Sequence, residues 1–312
     1  MVNLKNSSVS IASTPKLYIW TNQLLFLGAT PIHYREHVMV SDRLIVSINN
    51  DFQITLVNGE KITSKSMLVK AGTNLEKSLV NMNSAVIAIY YLAPLTQDYP
   101  ALESIMSRAM EGLHYDHPEE EGLIKALRNL RETSTTPEQA FSLLRKFIVQ
   151  PHLAHHTFKE FDERIIKVVY QIRTTVEQNL SLKKFADDVY LSESRLEKLF
   201  KKHMGIPITR YRLRYRVFIG TIHLALNQSI TKSALAAGFA SPAHFSKSFS
   251  AINGISPSET FFKPHSLKVL ISNDVFNSMS KLTNLPNNTR HQIDQQKIKL
   301  RKSDACTLID KA

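Results

Sequence analysis

In the first third of the chain, short apolar runs are separated by closely spaced turn residues. Positions 52–56 alternate between apolar and polar side chains, which is the period of a strand with one buried face. Asn58-Gly59 follows directly, a pair that tolerates the positive φ angles of a tight hairpin. The other runs with this pattern are 17–20, 24–27, 37–40, 44–48, 67–69 and 85–92. The pattern predicts a small antiparallel barrel or sandwich.

After Pro94 the apolar period lengthens to that of a helix, and helices are predicted over 100–112, 119–131 and 137–149. Thr136 and Pro137 suit the N-cap and first position of the third helix. An apolar stripe runs along that helix, formed by Leu143, Leu144, Phe147 and Ile148. Such a stripe packs into a core or forms a dimer surface.

From Ile165 to about Pro264 the chain has a helical pattern, and the last 48 residues are polar with little periodicity. The predicted fold class is α+β, with a β-rich barrel and helices followed by an all-α domain. The predicted segments are a flexible start (1–15), a β-rich domain (16–150), a linker (151–164), an all-α domain (165–265) and a poorly ordered basic tail (266–312).

The all-α region contains an internal repeat. At an offset of 49, the matching pairs are Ser192 and Ser241, Leu196 and Phe245, Lys198 and Lys247, Phe200 and Phe249, and Gly205 and Gly254. Each copy has a short helix with a small residue, then a tight turn, a serine cap and a second helix that ends at glycine. This is the plan of a helix-turn-helix motif.

The second helix of each copy has one apolar face and one polar or basic face, as a helix in the DNA major groove requires. The predicted DNA-binding residues of the first copy are Ser192, Ser194, Arg195, Glu197, Lys198, Lys201 and Lys202. Those of the second copy are Ser241, His244, Ser246 and Lys247. A basic helix over 208–227 connects the copies, and its Arg212 and Arg214 are predicted to meet phosphates.

Charge is segregated along the chain in a way that supports this interpretation. Residues 1–160 carry no net charge, 161–265 carry +8 and 266–312 carry +4, out of a total of +12. A neutral half joined to a basic half is typical of a sensing module attached to a nucleic-acid module.

Leu182–Phe261 resembles the DNA-binding domain of AraC/XylS-family transcription regulators. The segments that carry the resemblance are S-E-S-R-L-E-K-L-F-K-K-H-M-G (192–205), A-L-A-A-G-F-A-S-P-A-H-F-S-K-S-F (234–249) and G-I-S-P-S-E-T-F (254–261). The resemblance implies a regulator with two recognition helices that binds double-stranded DNA. RNA polymerase as a further partner and activation are expectations, with repression as the open alternative. Ser233, where the family favours Ile, and Tyr190, where a small residue is common, depart from its pattern.

The N-terminal half resembles, more loosely, the cupin-like effector domains of that family, which implies a small-molecule effector. Thr73, Asn74 and Leu75 stand where metal-binding cupins place a histidine. His33 and His37 suit surface positions. A helix would place His152 and either His155 or His156 on one face, which is the spacing of two metal ligands, but the sequence offers no third ligand beside them. Neither a metal nor a cofactor is therefore predicted.

The sequence contains no phosphate-binding loop, H-E-x-x-H or G-x-S-x-G motif, and Cys306 is its only cysteine. We therefore expect a cytoplasmic protein that is not an enzyme, without a signal peptide or membrane span. A homodimer is predicted through the N-terminal half. The open alternatives are a ligand-independent dimeric DNA-binding protein of architectural type and a DNA-acting enzyme.

Overall fold

The computed structural model describes residues 14–29, 39–55, 59–73, 79–81, 86–110, 112–153, 156–226, 228–263, 267–275 and 277. The chain divides into two compact units, Met1–Ser272 and Asn273–Ala312. Both predicted domains lie in the first unit, so the domain bounds near 150 and 165 stay a prediction. No helix in the described ranges is long and apolar enough to cross a membrane.

Eleven strands are found in the described residues. They are β1 (Lys16–Trp20), β2 (Gln23–Ala29), β3 (Arg43–Ser47), β4 (Phe52–Thr55), β5 (Lys61–Ser64), β6 (Ser66–Val69), β7 (Leu79–Asn81), β8 (Val86–Tyr91), β9 (Arg108–Met110), β10 (Leu113–Tyr115) and β11 (Lys268–Ile271). Eight strands form one sheet in the order β11-β1-β2-β8-β3-β6-β10-β9. The other three form a second sheet in the order β5-β4-β7. The antiparallel β4–β5 pairing confirms the hairpin expected around Asn58-Gly59, although residue 58 lies outside the described part.

The central strands of the large sheet are buried on both faces. Along β3 and β8, Leu44, Val46 and Tyr90 point into a core shared with helices. Their neighbours Ile45 and Ile89 point into a second core shared with the small sheet. Because side chains alternate between the faces of a strand, a strand with two covered faces has a continuous apolar sequence.

The helices of the first half are α1 (Asp98–Ile105), α2 (Glu120–Glu132) and α3 (Pro137–Ile148), followed by a 3-10 turn at Pro151–Leu153. The helix predicted over 100–112 is wrong beyond Ile105, because the chain turns at Gly112 (φ +79°) and pairs β9 with β10. Helix α3 begins as predicted, with a capping box between Thr136 and Gln139.

The apolar stripe of α3 belongs to the core. Leu144 and Ile148 are buried there, and Leu143 and Phe147 pack against it. The buried half of the stripe is therefore core, whereas a dimer surface formed by the partly buried half stays a prediction.

The second half is helical as predicted. Its helices are α4 (Glu163–Thr174), α5 (Leu182–Asp187), α6 (Glu193–Met204), α7 (Ile208–Ala225), α8 (Ile230–Ala236), α9 (Pro242–Asn253) and α10 (Pro257–Phe261). The molecule is thus an α+β protein with a β-rich domain followed by a helical region.

Part of the tail that the sequence predicts to be poorly ordered forms a strand. Lys268–Ile271 pairs in parallel with β1 at the edge of the large sheet, and the amide of Ser272 donates to the carbonyl of Ile19 at 3.0 Å. The prediction of a poorly ordered tail from 266 is wrong for these residues. The run Val269–Ile271 is short, which is why periodicity did not reveal it.

Ser233 on α8 is fully buried, and its hydroxyl has no hydrogen-bond partner. An unsatisfied buried hydroxyl costs about 1–3 kcal/mol. We expect Ser233→Ala to raise the free energy of unfolding by about 1 kcal/mol, measured by urea denaturation, whereas Ser258→Ala at an exposed position leaves it unchanged. A loss of stability in Ser233→Ala would contradict the burial of an unpaired hydroxyl.

Candidate nucleic-acid interface

The two copies of the motif share the same turn. Tyr190 and Gly238 both have positive φ, 56° and 75°. The amide of Leu191 donates to the carbonyl of Ala186 at 3.0 Å, and that of Phe239 donates to Ala234 at 2.9 Å. These turns correspond at an offset of 48, one less than the offset of the second helices. The repeat therefore contains one extra residue between the turn and the cap of the second copy.

The second helix of each copy is anchored by its apolar back. Leu196 and Phe200 are fully buried on α6, as is Phe245 on α9. The ring of Phe245 packs 5.2 Å from that of Phe239 and directly against Gly220 of α7, where a Cβ would come within 2.5 Å of it. The apolar faces predicted from the sequence are confirmed.

The opposite face of α6 is exposed. Ser192 caps the helix by accepting from the amide of Arg195. The other predicted residues of this copy, Ser194, Arg195, Glu197, Lys198, Lys201 and Lys202, all lie on the exposed surface. Helix α6 thus combines an immobilised back with a front of hydrogen-bond donors.

Helix α9 repeats this arrangement with a smaller basic contribution. Ser241 caps it by accepting from the amide of His244. His244 and Lys247 are exposed, while Ser246 is partly buried. The imidazole of His244 also contacts Phe239 edge-on, at 5.3 Å between ring centroids, so its position is constrained.

Two arginines of α7, Arg212 and Arg216, make contacts within the protein. The guanidinium of Arg212 lies 5.3 Å over the ring of Phe185 and reaches Asn179. Arg216 donates to the carbonyls of Val176 and Gln178, each at 3.2 Å. These two side chains fasten α7 to α5 and to the segment between α4 and α5.

Arg214 faces the N-terminal domain. Its side chain lines a cavity of about 60 Å³ together with Asp42, Lys70 and Tyr211. Burial lowers the pKa of its guanidinium, and Tyr211 and Asp42 oppose that shift. In this conformation the side chain of Arg214 therefore points toward the N-terminal domain, and its contact with phosphate stays a prediction, because basic residue type alone does not reveal which face of α7 is covered.

The sequence reasoning missed Lys232, an exposed cation in the first turn of α8. Its equivalent in the first copy at the offset of 48 is Lys184, which pairs with Asp188. The first helix of such a motif crosses the DNA backbone, so the offset of 48 would have identified Lys232 as a further candidate.

No group of three or more His, Cys, Asp or Glu side chains in the described part of the chain is arranged to hold a metal ion. His33, His37 and His155, together with Cys306, lie outside the described residues.

The comparisons with known proteins agree with this geometry. A family model of a helix-turn-helix domain matches residues 185–262. A solved transcriptional regulator from Chromobacterium violaceum, of the AraC-type DNA-binding domain-containing proteins, is 30% identical, with 31% of this chain covering 88% of that chain at a TM-score of 0.30. The chain belongs to the AraC family. It is a DNA-binding transcription regulator. No curated protein matches it.

Likeness of fold extends over most of the chain. A single-residue variant of apo ToxT from Vibrio cholerae strain SCE256 has 12% identity and a TM-score of 0.53, covering 78% of this chain and 97% of that one. ToxT from Vibrio cholerae O395 has 13% identity and a TM-score of 0.50, covering 80% and 97%. These structures show that the two-domain fold of this regulator is shared.

We expect Lys198→Ala and Lys247→Ala each to weaken operator binding by about 1–3 kcal/mol if the lysine reads a base. Both are exposed at equivalent positions of the repeat, so their removal leaves thermal unfolding unchanged. Fluorescence anisotropy with labelled duplex DNA measures the affinity. Wild-type affinity in both variants would remove these lysines from the interface.

Leu196→Ala and Phe245→Ala are expected to act on the stability of the fold, not on a direct contact with DNA. Each creates a cavity behind a recognition helix and lowers the free energy of unfolding by about 2–5 kcal/mol. Chemical denaturation followed by circular dichroism checks this. Variants that unfold like wild type yet lose DNA binding would show that the buried and exposed faces have been exchanged.

Proposed function

We propose that this regulator binds one operator with both recognition helices, α6 and α9, in successive major grooves. The observation that supports this most is the repeated exposed face at Ser194–Lys202 and His244–Lys247, on helices with equivalent caps and buried backs. Successive major grooves on one face of DNA lie about 34 Å apart. Helix α7 has 18 residues and is about 27 Å long, a suitable rigid connector.

In this mechanism, positioning and reading are done by different groups. Lys201 and Lys202 lie in the last turn of α6, where they can neutralise phosphates, and residues nearer its start face the base edges. Phosphate contacts fix the register of the protein on the duplex, and base contacts specify the sequence. Arg212 and Arg216 contribute indirectly by holding α7 against the first motif.

The salt dependence of binding separates this assignment of charges from an alternative in which α7 supplies phosphate contacts. If exposed cations make the contacts, Lys201→Gln should reduce the slope of log affinity against log salt by about 0.9, the value for one phosphate. Arg214→Gln should leave the slope unchanged. Titrations of the full chain at several salt concentrations measure both, and a flat wild-type profile would contradict DNA binding itself.

We further propose that an effector binds between the N-terminal sheet and the second motif. A cavity of about 200 Å³ lies there. Its walls are mainly apolar, with Leu24, Phe26 and Ile89 from the sheet facing Phe249 and Phe261 from the helices. A bound molecule would touch both domains, and a ligand that binds two conformations unequally shifts their populations.

Leu24→Trp tests the effector proposal by filling this cavity. We expect the apolar dye 1-anilinonaphthalene-8-sulfonate to bind wild type and the control Leu235→Trp, whose Leu235 is exposed, but not Leu24→Trp. The bound dye should also change operator affinity, as coupling between sites requires. Equal dye binding by all three proteins would contradict this location.

A ligand-independent regulator is the alternative. It predicts that operator affinity stays the same when the cavity is filled, by dye or by tryptophan. Homodimerisation through the N-terminal half and contact with RNA polymerase stay predictions.

A further inference from the structure

The N-terminal domain touches the first recognition helix through two glycines. Gly72 lies in the turn after β6 (φ +93°), and Gly205 ends α6 (φ +75°). A Cβ on Gly72 would overlap the carbonyl oxygen of Gly205, and a Cβ on Gly205 would overlap that of Ala71. The two backbones therefore approach at a distance that no side chain permits.

A lysine reinforces this contact from the linker. The Nζ atom of Lys159 donates to the carbonyl of His203 at 2.9 Å. This carbonyl is one of the last in α6, and such carbonyls have no partner within the helix. A cation at this end also interacts favourably with the helix dipole. Lys159 thus binds the end of α6 that Gly72 touches.

The linker is itself fixed to the N-terminal domain. The side chain of Gln97, at the start of α1, donates to the carbonyl of Lys159 at 2.8 Å. It also accepts from the amides of Phe158 and Lys159, each at 3.1 Å. On the other side, Asp42 accepts from the amide of Ala71 at 2.7 Å and so holds the turn that contains Gly72.

We propose that Gly72 and Lys159 are positioning residues for α6: the N-terminal domain holds the first recognition helix by its C-terminal end and sets its orientation for DNA. The exposed face of α6 stays open in this arrangement, so the contact orients the helix without blocking it. This inference rests on the proposed role of α6 in reading DNA. It adds the route by which a change in the N-terminal domain reaches that helix.

Gly72→Ala tests the contact, and Gly112→Ala is its matched control. Gly112 also has positive φ, but a Cβ there meets nothing within 4 Å, so both variants carry the backbone cost of alanine and only one separates the surfaces. In the full chain, we expect faster hydrogen exchange of the amides at 203–206 in Gly72→Ala alone. Equal exchange in the two variants would overturn the contact.

A second pair of variants covers the case in which Gly72→Ala fails to fold. Lys159→Met should show the same faster exchange, and Lys159→Arg should restore protection because it keeps a donor. Lys167→Met is the control, since Lys167 donates to the carbonyl of Asp188 at 2.7 Å within the helical region. Unchanged exchange in Lys159→Met would overturn the role of Lys159.

Operator footprints distinguish positioning from simple stability. Gly72→Ala and Lys159→Met should lose protection over the half contacted by α6 and keep the half contacted by α9, with affinity about tenfold weaker through lost preorganisation. Uniform loss over both halves, or affinity equal to or tighter than the controls, would contradict positioning. Absence of any wild-type footprint would instead contradict the proposed function.

Discussion

The packing of each recognition helix against its own domain is the interaction on which the rest of this structure depends. Phe200 and Phe245 are completely buried, and each fixes one helix so that its opposite face stays exposed. Burying such a side chain contributes about 1.5–3 kcal/mol. Without that anchor, the polar groups on the exposed face of each helix would have no fixed geometry in which to contact a DNA groove.

Gly220 allows this packing to be close. The ring of Phe245 occupies the space that a side chain at position 220 of α7 would take, so the connecting helix supports α9 directly. Arg212 fastens the same helix to the first helix of the first motif, and Arg216 fastens it to the segment before that motif. Helix α7 is therefore a structural link between both copies more than a source of free charge.

The sequence was enough to predict the second motif, the caps at Ser192 and Ser241 and the glycines that end each helix, because capping and periodicity are local properties. The orientation of Arg214 could not, since it depends on the N-terminal domain lying beside α7. The strand at Lys268–Ile271 was missed for a related reason: only β1, about 250 residues earlier in the chain, makes it a strand. The contact between Gly72 and Gly205 is likewise invisible until both domains are placed.

If α6 and α9 read one operator together, each lies in its own major groove. A DNA-cleaving iron chelate attached at Ser194→Cys or at Ala243→Cys, in a Cys306→Ser background, measures this directly because the two positions are equivalent in the repeat and both are exposed. We expect two cleavage centres about 10 base pairs apart, one helical turn, on the same face of the duplex. Cleavage at one common position, or from only one of the two sites, would contradict it.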